Sequence, residues 1–467
     1  MGPGSGTAPR TSQRGSAVKA EPQPILERLG LHRPELRAWA MYEWATTGMW
    51  AVIVATIFPI YFYDVAAASM ERADAERIFY LATTVGITLI AVVAPLLGAI
   101  TDRTAIKKPM LAAFAALGVA GCGLLFLVQE GDWAIGLFFF VLVNLGANGS
   151  VVFYDALLPH IARPGEEDRV STGAFAIGYL GAGILLAFCL LMIQRPDLFG
   201  LPEGTLAARL SFALVAVWWA VFTIPLLRKV PEPPPEVIAD ESEKVAGSSV
   251  RFALNRIRTT FSELRSYQHA FIFLLAYLVY GDGIGTIIRV ATIYGASLGI
   301  DRGHMIGAIV MVQFIGVPFS FLFGMLAGRI GTKRSLFVGL GVYLGVTVLG
   351  FYMTTALHFW MLAVLVGMVQ GGTQALSRSL FASMIPAYKS GELFGFYGVM
   401  DKFAGMFGPL VMTLVITMTG SSRLSLLSVA GFFIIGGLIL SRVDVDEGRR
   451  VAREAQARAR PLSGTVP

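Results

Sequence analysis

The sequence predicts an all-α integral membrane protein: twelve transmembrane helices in two pseudo-symmetric six-helix bundles. Three observations lead there. The 467 residues are 55% hydrophobic and only 15% charged, with a mean hydropathy of +0.66, whereas an average soluble protein carries about 25% charged residues. The apolar residues gather in twelve runs close to the ~20 residues that cross a bilayer as a helix. A charged turn between two such runs, Gly98-Ala99-Ile100-Thr101-Asp102-Arg103-Thr104-Ala105-Ile106-Lys107-Lys108, also has an echo half a chain later. Gly98 matches Gly324, Arg103 matches Arg329, Lys107 matches Lys333 and Lys108 matches Arg334, all at one offset. Parallel repeats of this kind mark duplicated membrane proteins.

Along the chain, residues 1–40 read as a disordered cytoplasmic tail; 1–24 are rich in Gly, Ser, Pro and Arg and lack the apolar core of a cleavable signal. The N-terminal bundle, 41–227, holds apolar spans at 44–67, 78–100, 110–128, 134–158, 173–193 and 207–227. Residues 228–268 form a cytoplasmic linker that opens with Pro231, Pro233, Pro234 and Pro235. Further on, Val250, Leu254, Ile257, Phe261 and Leu264 recur at helical spacing among Arg251, Arg256, Arg258 and Arg265. That pattern predicts an amphipathic helix on the inner membrane surface. The C-terminal bundle, 269–441, holds spans at 270–294, 305–327, 336–355, 358–381, 395–419 and 425–441, and 442–467 is a basic cytoplasmic tail. Most of the 37 Lys and Arg residues fall in the two tails and the even-to-odd loops, so the positive-inside bias puts both termini in the cytoplasm. Without a targeting peptide, a bacterial inner membrane is the expected location.

The repeat extends beyond the charged turn. Leu157-Leu158-Pro159 and then Gly165-Glu166 follow span four, as Met384-Ile385-Pro386 and Gly391-Glu392 follow span ten, within one residue of the same offset. Pro59, Pro95, Pro318 and Pro409 lie inside spans, where proline interrupts the hydrogen-bond ladder. Gly324/Gly328, Gly341/Gly345 and Gly367/Gly371 are small-residue pairs of the kind that lets helices pack closely. Cys122 and Cys189 fall in apolar runs, and the five His residues show no paired-ligand spacing, so neither a metal site nor a cofactor is expected.

A lipid-facing charge at mid-membrane costs about 2.5–3.5 kcal/mol, so polar residues inside spans should face a cavity or a partner. Asp282 in span seven lies about thirteen residues in, roughly 20 Å at 1.5 Å per residue. Arg289 follows seven residues later on a similar face. Lys402 lies in span eleven, Gln370, Gln374 and Arg378 in span ten, Asn144, Asn148 and Asp155 in span four, and Glu43 at the start of span one. Asp282 and Lys402 could instead form a structural ion pair, and the Asn and Gln residues could be interhelical glue. Asp102 and Arg103 sit at a cytoplasmic helix end. There a carboxylate can accept from the positive amino end of a neighbouring helix and act as a latch. Gly328 stands where the first copy has Asp102, so any latch is asymmetric.

Gly98-x-x-x-Asp102-Arg103-x-x-x-Lys107-Lys108 resembles the loop signature of the major facilitator superfamily. Tyr42-Glu43-Trp44-Ala45, Gly371-Gly372-Thr373-Gln374-Ala375-Leu376-Ser377-Arg378-Ser379, Phe394-Gly395-Phe396-Tyr397 with Lys402 and Gly408-Pro409, and Tyr280-Gly281-Asp282-Gly283 resemble its vacuole-effluxer-like branch. Glu43, Thr46 and Asp155 depart from that branch's usual Asp, Asn and Asn. The resemblance implies the major facilitator fold and a secondary transporter; fungal members are associated with export of amino acids from vacuoles.

The expected function is therefore alternating-access transport of a small solute such as an amino acid, by efflux and with proton coupling. Asp282 would carry the proton or bind a cationic group, with Lys402 and Arg289 pairing with it or binding an anionic one. Gln370, Gln374, Asn144 and Asn148 would hydrogen-bond the solute, and Glu43, Asp155, Arg378, Asp102 and Arg103 would form the cytoplasmic gate. The expected partners are the solute, protons and membrane lipid, with the chain a monomer and no nucleic acid involved. Rival readings are transport of drugs, sugars or organic anions, and a non-transporting receptor or scaffold. An enzyme is disfavoured, because the sequence has no nucleophile motif.

Overall fold

The computed structural model describes residue 2 and residues 25–235 and 264–459. Twelve helices among them are long and apolar enough to span a membrane: α1 (Pro34–Ala66), α2 (Arg72–Thr104), α3 (Lys107–Leu125), α4 (Trp133–Ile161), α5 (Glu167–Gln194), α6 (Leu206–Lys229), α7 (Gln268–Ser297), α8 (Arg302–Ile330), α9 (Thr332–Phe351), α10 (Ala356–Ser383), α11 (Ala387–Thr419) and α12 (Ser422–Ser441). Large apolar side chains such as Leu410, Leu414 and Met418 of α11 and Ile434 and Leu438 of α12 are exposed. Contiguous apolar surface of this kind is what a lipid-embedded protein presents. The chain is a multi-pass membrane protein with no strand among the described residues.

Several expectations need correction. A short helix, Ile25–Arg28, and the start of the first membrane-spanning helix at Pro34 both fall inside the stretch assigned to the tail. Proline suits a first helical turn because its missing N–H is unpaired there anyway. Trp39 in the second turn is fully buried and donates to the Tyr154 carbonyl at 3.1 Å. The carboxyl tail begins with a helix, α13 (Val445–Ala459), whose Gly448 and Ala452 are buried. The rest of the 1–24 tail and the amphipathic linker pattern lie outside the described residues, apart from Gly2, Leu264 and Arg265.

The prolines act in different ways. The α1 backbone runs as a π-helix over Trp50–Ile57, just before Pro59, whose ring cannot fit the preceding ladder. Pro409 falls in the first turn of the second half of α11 and kinks nothing. That helix is broken elsewhere. Its first half ends at Phe403, Ala404 is extended, Gly405 takes φ +92°, and the second half starts at Phe407. Only glycine adopts that φ readily.

Within the first six helices, α3 packs on α4 and α1 on α5 and α6; within the last six, α8 packs on α10 and α7 on α12. The halves meet where α5 touches α8 and α10 and where α11 touches α2 and α4. The repeated glycines explain part of this seam. A Cβ on Gly98 would lie 2.1 Å from the Gly391 carbonyl oxygen, and one on Gly324 would lie 2.2 Å from Thr172 Oγ1. Gly371 is similarly tight, at 2.2 Å from Ser320 Oγ, and Gly367 less so, at 3.1 Å from Ile315, but Gly328, Gly341 and Gly345 meet nothing within 4 Å and are not packing residues.

Hydrogen bonds tie the loops at one end, hereafter the linker end. The Lys107 and Lys108 amides donate to Glu232, Arg33 donates to Glu166, Lys333 donates to the Ser441 and Val443 carbonyls, and the Asp444 amide donates to His269.

Candidate functional site

Three buried polar clusters stand out; the first two and the Asp102 cap of the third lie on the seam. The first centres on Arg378 of α10, which is only 3% exposed. Its Nη1 donates to Glu43 of α1 at 2.5 Å and to Asp155 of α4 at 3.0 Å. Nε donates to Ser171 Oγ of α5 at 3.0 Å, and that hydroxyl donates to the Ala375 carbonyl at 2.7 Å. The rings of Trp39 and Phe175 lie 4.7 and 4.5 Å from the guanidinium carbon, positions that cation–π attraction favours. One cation of the second half thus holds two acids of the first. A second tie lies alongside: Asp168 of α5 accepts from Thr332 and Ser379, both at 2.6 Å.

The second cluster lines a cavity of about 30 Å³ between α2, α4 and α11. Its polar residues are Asn148, Asp155, Tyr397, Asp401 and Lys402; Ile90, Ala91 and Ala94 of α2 make an apolar wall. Asp401 accepts from Tyr277 of α7 at 2.6 Å and pairs with Lys402 at 2.7 Å. Lys402 also lies 5.6 Å from the Trp50 ring of α1. Asn148 donates from Nδ2 to the Asn144 carbonyl at 2.7 Å, but its buried Oδ1 has no protein partner. A buried acceptor left unmade costs about 1–3 kcal/mol, so this oxygen is an opening for a donor that enters the cavity.

The third cluster is a pair of helix caps on α11. Asp102 accepts from the Gly391 and Glu392 amides, both at 2.9 Å, where the first half begins, and pairs with Lys107 at 2.6 Å. Asp282 accepts from the Phe407 and Gly408 amides, both at 3.0 Å, where the second half begins. Each carboxylate answers the unpaired N–H groups and the positive dipole end of a helix.

The expected sites divide accordingly. Glu43, Asp155 and Arg378 come together, and Asp102 meets a helix amino end, though Arg103 is exposed beside it. Asp282 pairs with neither Lys402 nor Arg289 and does not line the cavity. Lys402 takes Asp401, and Arg289 donates to the Gly405 carbonyl at the α11 break. A buried carboxylate facing two free amides satisfies itself without a cation, and the broken helix supplies them. Asn144 bonds the Phe140 carbonyl of its own helix at 2.9 Å, and Gln370 and Gln374 are half-buried outside the cavity lining. The residues missed are Asp401, Asp168, Ser171 and Trp39. Asp401 carried a signal: an acid next to Lys402 inside an apolar run is a ready ion pair.

The seam is sealed by these polar contacts at the linker end. At the opposite end, the halves are joined by the exposed ion pair Arg302–Asp64 at 3.7 Å.

Comparison with known proteins agrees with this architecture. Residues 70–453 match the family model described as "Vacuole effluxer Atg22 like". The uncharacterized MFS-type transporter YxiO of Bacillus subtilis (strain 168) is 35% identical over 420 residues, which cover 89% of this chain and 96% of that protein. Autophagy-related protein 22-1 of Aspergillus niger is 25% identical over 324 residues, 64% of this chain and 52% of the fungal protein, so the match spans about half of its length. Among solved structures, the human organic anion transporter MFSD10 superposes with a TM-score of 0.64 at 15% identity, covering 90% of this chain and all of that one. The relatives named as transporters place this chain among transporters rather than enzymes. The chain belongs to the vacuole effluxer Atg22-like family, within the major facilitator transporters.

Proposed function

We propose that the chain is a proton-driven secondary transporter for a small zwitterion of the amino-acid class, working by alternating access in a bacterial cell membrane with both termini cytoplasmic. The observation that carries this reading is the polar lining of the mid-seam cavity, a space that is water-sized in this conformation and would take a solute only when the bundles part. The cavity is lined from both halves, it combines the ammonium of Lys402, the carboxylates of Asp155 and Asp401 and an unpaired amide oxygen of Asn148, and it lies directly behind the Arg378 cluster. A zwitterion offers the complementary pair: its carboxylate suits Lys402, and its ammonium suits Asn148 and the acids. Mixed charge in one site favours such a ligand over a sugar or a purely anionic solute.

The positive-inside bias supports placing the linker end in the cytoplasm. Arg378, Asp102 and Asp168 would then be the cytoplasmic gate, closed in this conformation. Opening it would free the solute inward. Release from a vacuole is likewise movement toward the cytoplasm, so the family's description fits the same half-cycle; efflux from the cell would require the reverse gradient.

The experiment is counterflow into proteoliposomes preloaded with single amino acids, sugars or organic anions. The expected result is exchange with an amino acid, lost in Lys402→Ala. Exchange with sugars or organic anions alone would refute the solute class. Ligand-induced thermal stabilisation without any exchange would favour a receptor.

A further inference from the structure

We propose that Asp155 is the residue that takes up the coupling proton, and that its protonation releases the Arg378 gate. The proposal rests on the transport reading above and adds where the driving ion acts. Asp282, the carrier expected from the sequence, is removed by its two amide partners and its place outside the cavity.

Charge balance carries the first part of the argument. The gate and the cavity hold three acids, Glu43, Asp155 and Asp401, against two bases, Arg378 and Lys402. Asp401 and Lys402 neutralise each other. Glu43 and Asp155 are left to share one guanidinium, and both bond to the same nitrogen, Nη1. A buried cluster with one uncompensated negative charge is costly in a low-dielectric interior. One bound proton makes it neutral.

Geometry says which acid takes the proton. Asp155 bonds the gate arginine and also lines the cavity; Glu43 and Arg378 do not line it. A proton that reaches the cavity therefore meets Asp155 while the gate is still closed. Asn148 lies two helical turns away on α4 and lines the same cavity. It is 3% exposed, and its Oδ1 is unpartnered. Water carrying the proton would have an acceptor there. The charged and titratable groups facing Asp155 are Glu43 from α1, Arg378 from α10, and Tyr397, Asp401 and Lys402 from α11, while α2 presents only apolar side chains.

The step is a simple proton transfer. The Asp155 carboxylate gains a proton from the cavity and becomes a neutral carboxylic acid. Arg378 stays protonated, keeps Glu43 and loses the ionic hold on Asp155. The seam between α4 and α10 is weakened, and the linker end opens. The proton leaves on that side when Arg378 reclaims the carboxylate. Because protonation removes a gate partner, opening increases as pH falls.

The test uses the full chain in nanodiscs with Ala375→Cys as a reporter. Ala375 is fully buried one turn from Arg378, and native Cys122 and Cys189 are buried as well. The rate of maleimide labelling at that position reads gate opening without any solute. Because maleimide reacts with the thiolate, the rate is taken relative to a permanently exposed reference cysteine at the same pH; that ratio should rise severalfold from about pH 8 to about pH 5, be high at both pH values when Asp155→Asn is added, and keep a pH response, shifted to lower pH, when Glu43→Gln is added. A pH response that survives Asp155→Asn, or a response to sodium at constant pH in place of protons, would overturn the proposal. Infrared spectroscopy on the unmodified background gives a second readout. A carboxylic-acid C=O band that grows on acidification should vanish in Asp155→Asn, and its persistence there would count equally against it. Counterflow assays the transport reading separately. On the unmodified chain, exchange without any pH response in gate labelling fails this proposal alone, and a pH response without exchange of any solute fails that reading alone.

Discussion

Arg378 and Asp155 meet at 3.0 Å across the seam, one from each half of the molecule. Glu43 shares the same guanidinium, so removing Arg378 leaves two buried acids without a cation. Breaking a buried ion pair by deleting one partner costs about 3–5 kcal/mol. Arg378→Ala should lower thermal stability by that order. Arg378→Lys should recover part of it, because an ammonium can reach the acids but cannot also donate through Nε to Ser171. A melting curve in detergent measures both. An Arg378→Ala protein as stable as the wild type would show that the cluster does not hold the halves together.

Asp102 should matter through two amides and one lysine. Asp102→Ala strips the cap from Gly391 and Glu392 and leaves Lys107 buried without its partner, a loss of about 3 kcal/mol. Asp102→Asn keeps an acceptor and should fall between. Gly98→Ala tests the same contact sterically, because its Cβ would lie 2.1 Å from the Gly391 carbonyl oxygen. Limited proteolysis of the linker-end loops should be accelerated in Asp102→Ala and Gly98→Ala. Equal protection in both would dismiss the contact as a latch.

Asp282 is expected to behave as a helix cap. Asp282→Asn retains an acceptor for the Phe407 and Gly408 amides and should keep proton-driven uptake. Asp282→Ala should lose about 1–2 kcal/mol of stability. If Asp282→Asn abolishes uptake with its melting temperature unchanged, the residue belongs to coupling instead.

Two asparagines one turn apart should differ sharply. Asn148→Ala removes the open acceptor in the cavity and should weaken solute binding about tenfold, equivalent to about 1.4 kcal/mol. Asn144→Ala removes only a bond to its own helix and should leave affinity unchanged. Solute titration by calorimetry separates the cases. Equal losses in both would mean that the amides serve packing.

These predictions show which physics a sequence exposes. The spans are legible because lipid allows no alternative to long apolar helices. Their ends are less so: Pro34–Met49 continues past the apolar window because Trp39 packs on protein rather than lipid. The Asp102 contact is legible as a class, since a carboxylate at a helix end seeks amides, and the repeat puts it at the seam. The Glu43, Asp155 and Arg378 cluster is legible as buried charge near the inner ends, but not its sharing of one nitrogen. Asp282 misleads because the break at Gly405, a single residue at positive φ, creates amide partners that apolar patterning does not reveal. Asp401 is hidden by Lys402, its own neutralising neighbour.

The direct test of a two-state seam gated by Arg378 is a distance measurement across the linker end. Spin labels at Arg163→Cys and Arg334→Cys sit on exposed positions of opposite halves. The expected result is a short, narrow distance distribution in the otherwise wild-type chain and a longer second population when Arg378→Ala is added. One unchanged narrow distribution in both would contradict the gate.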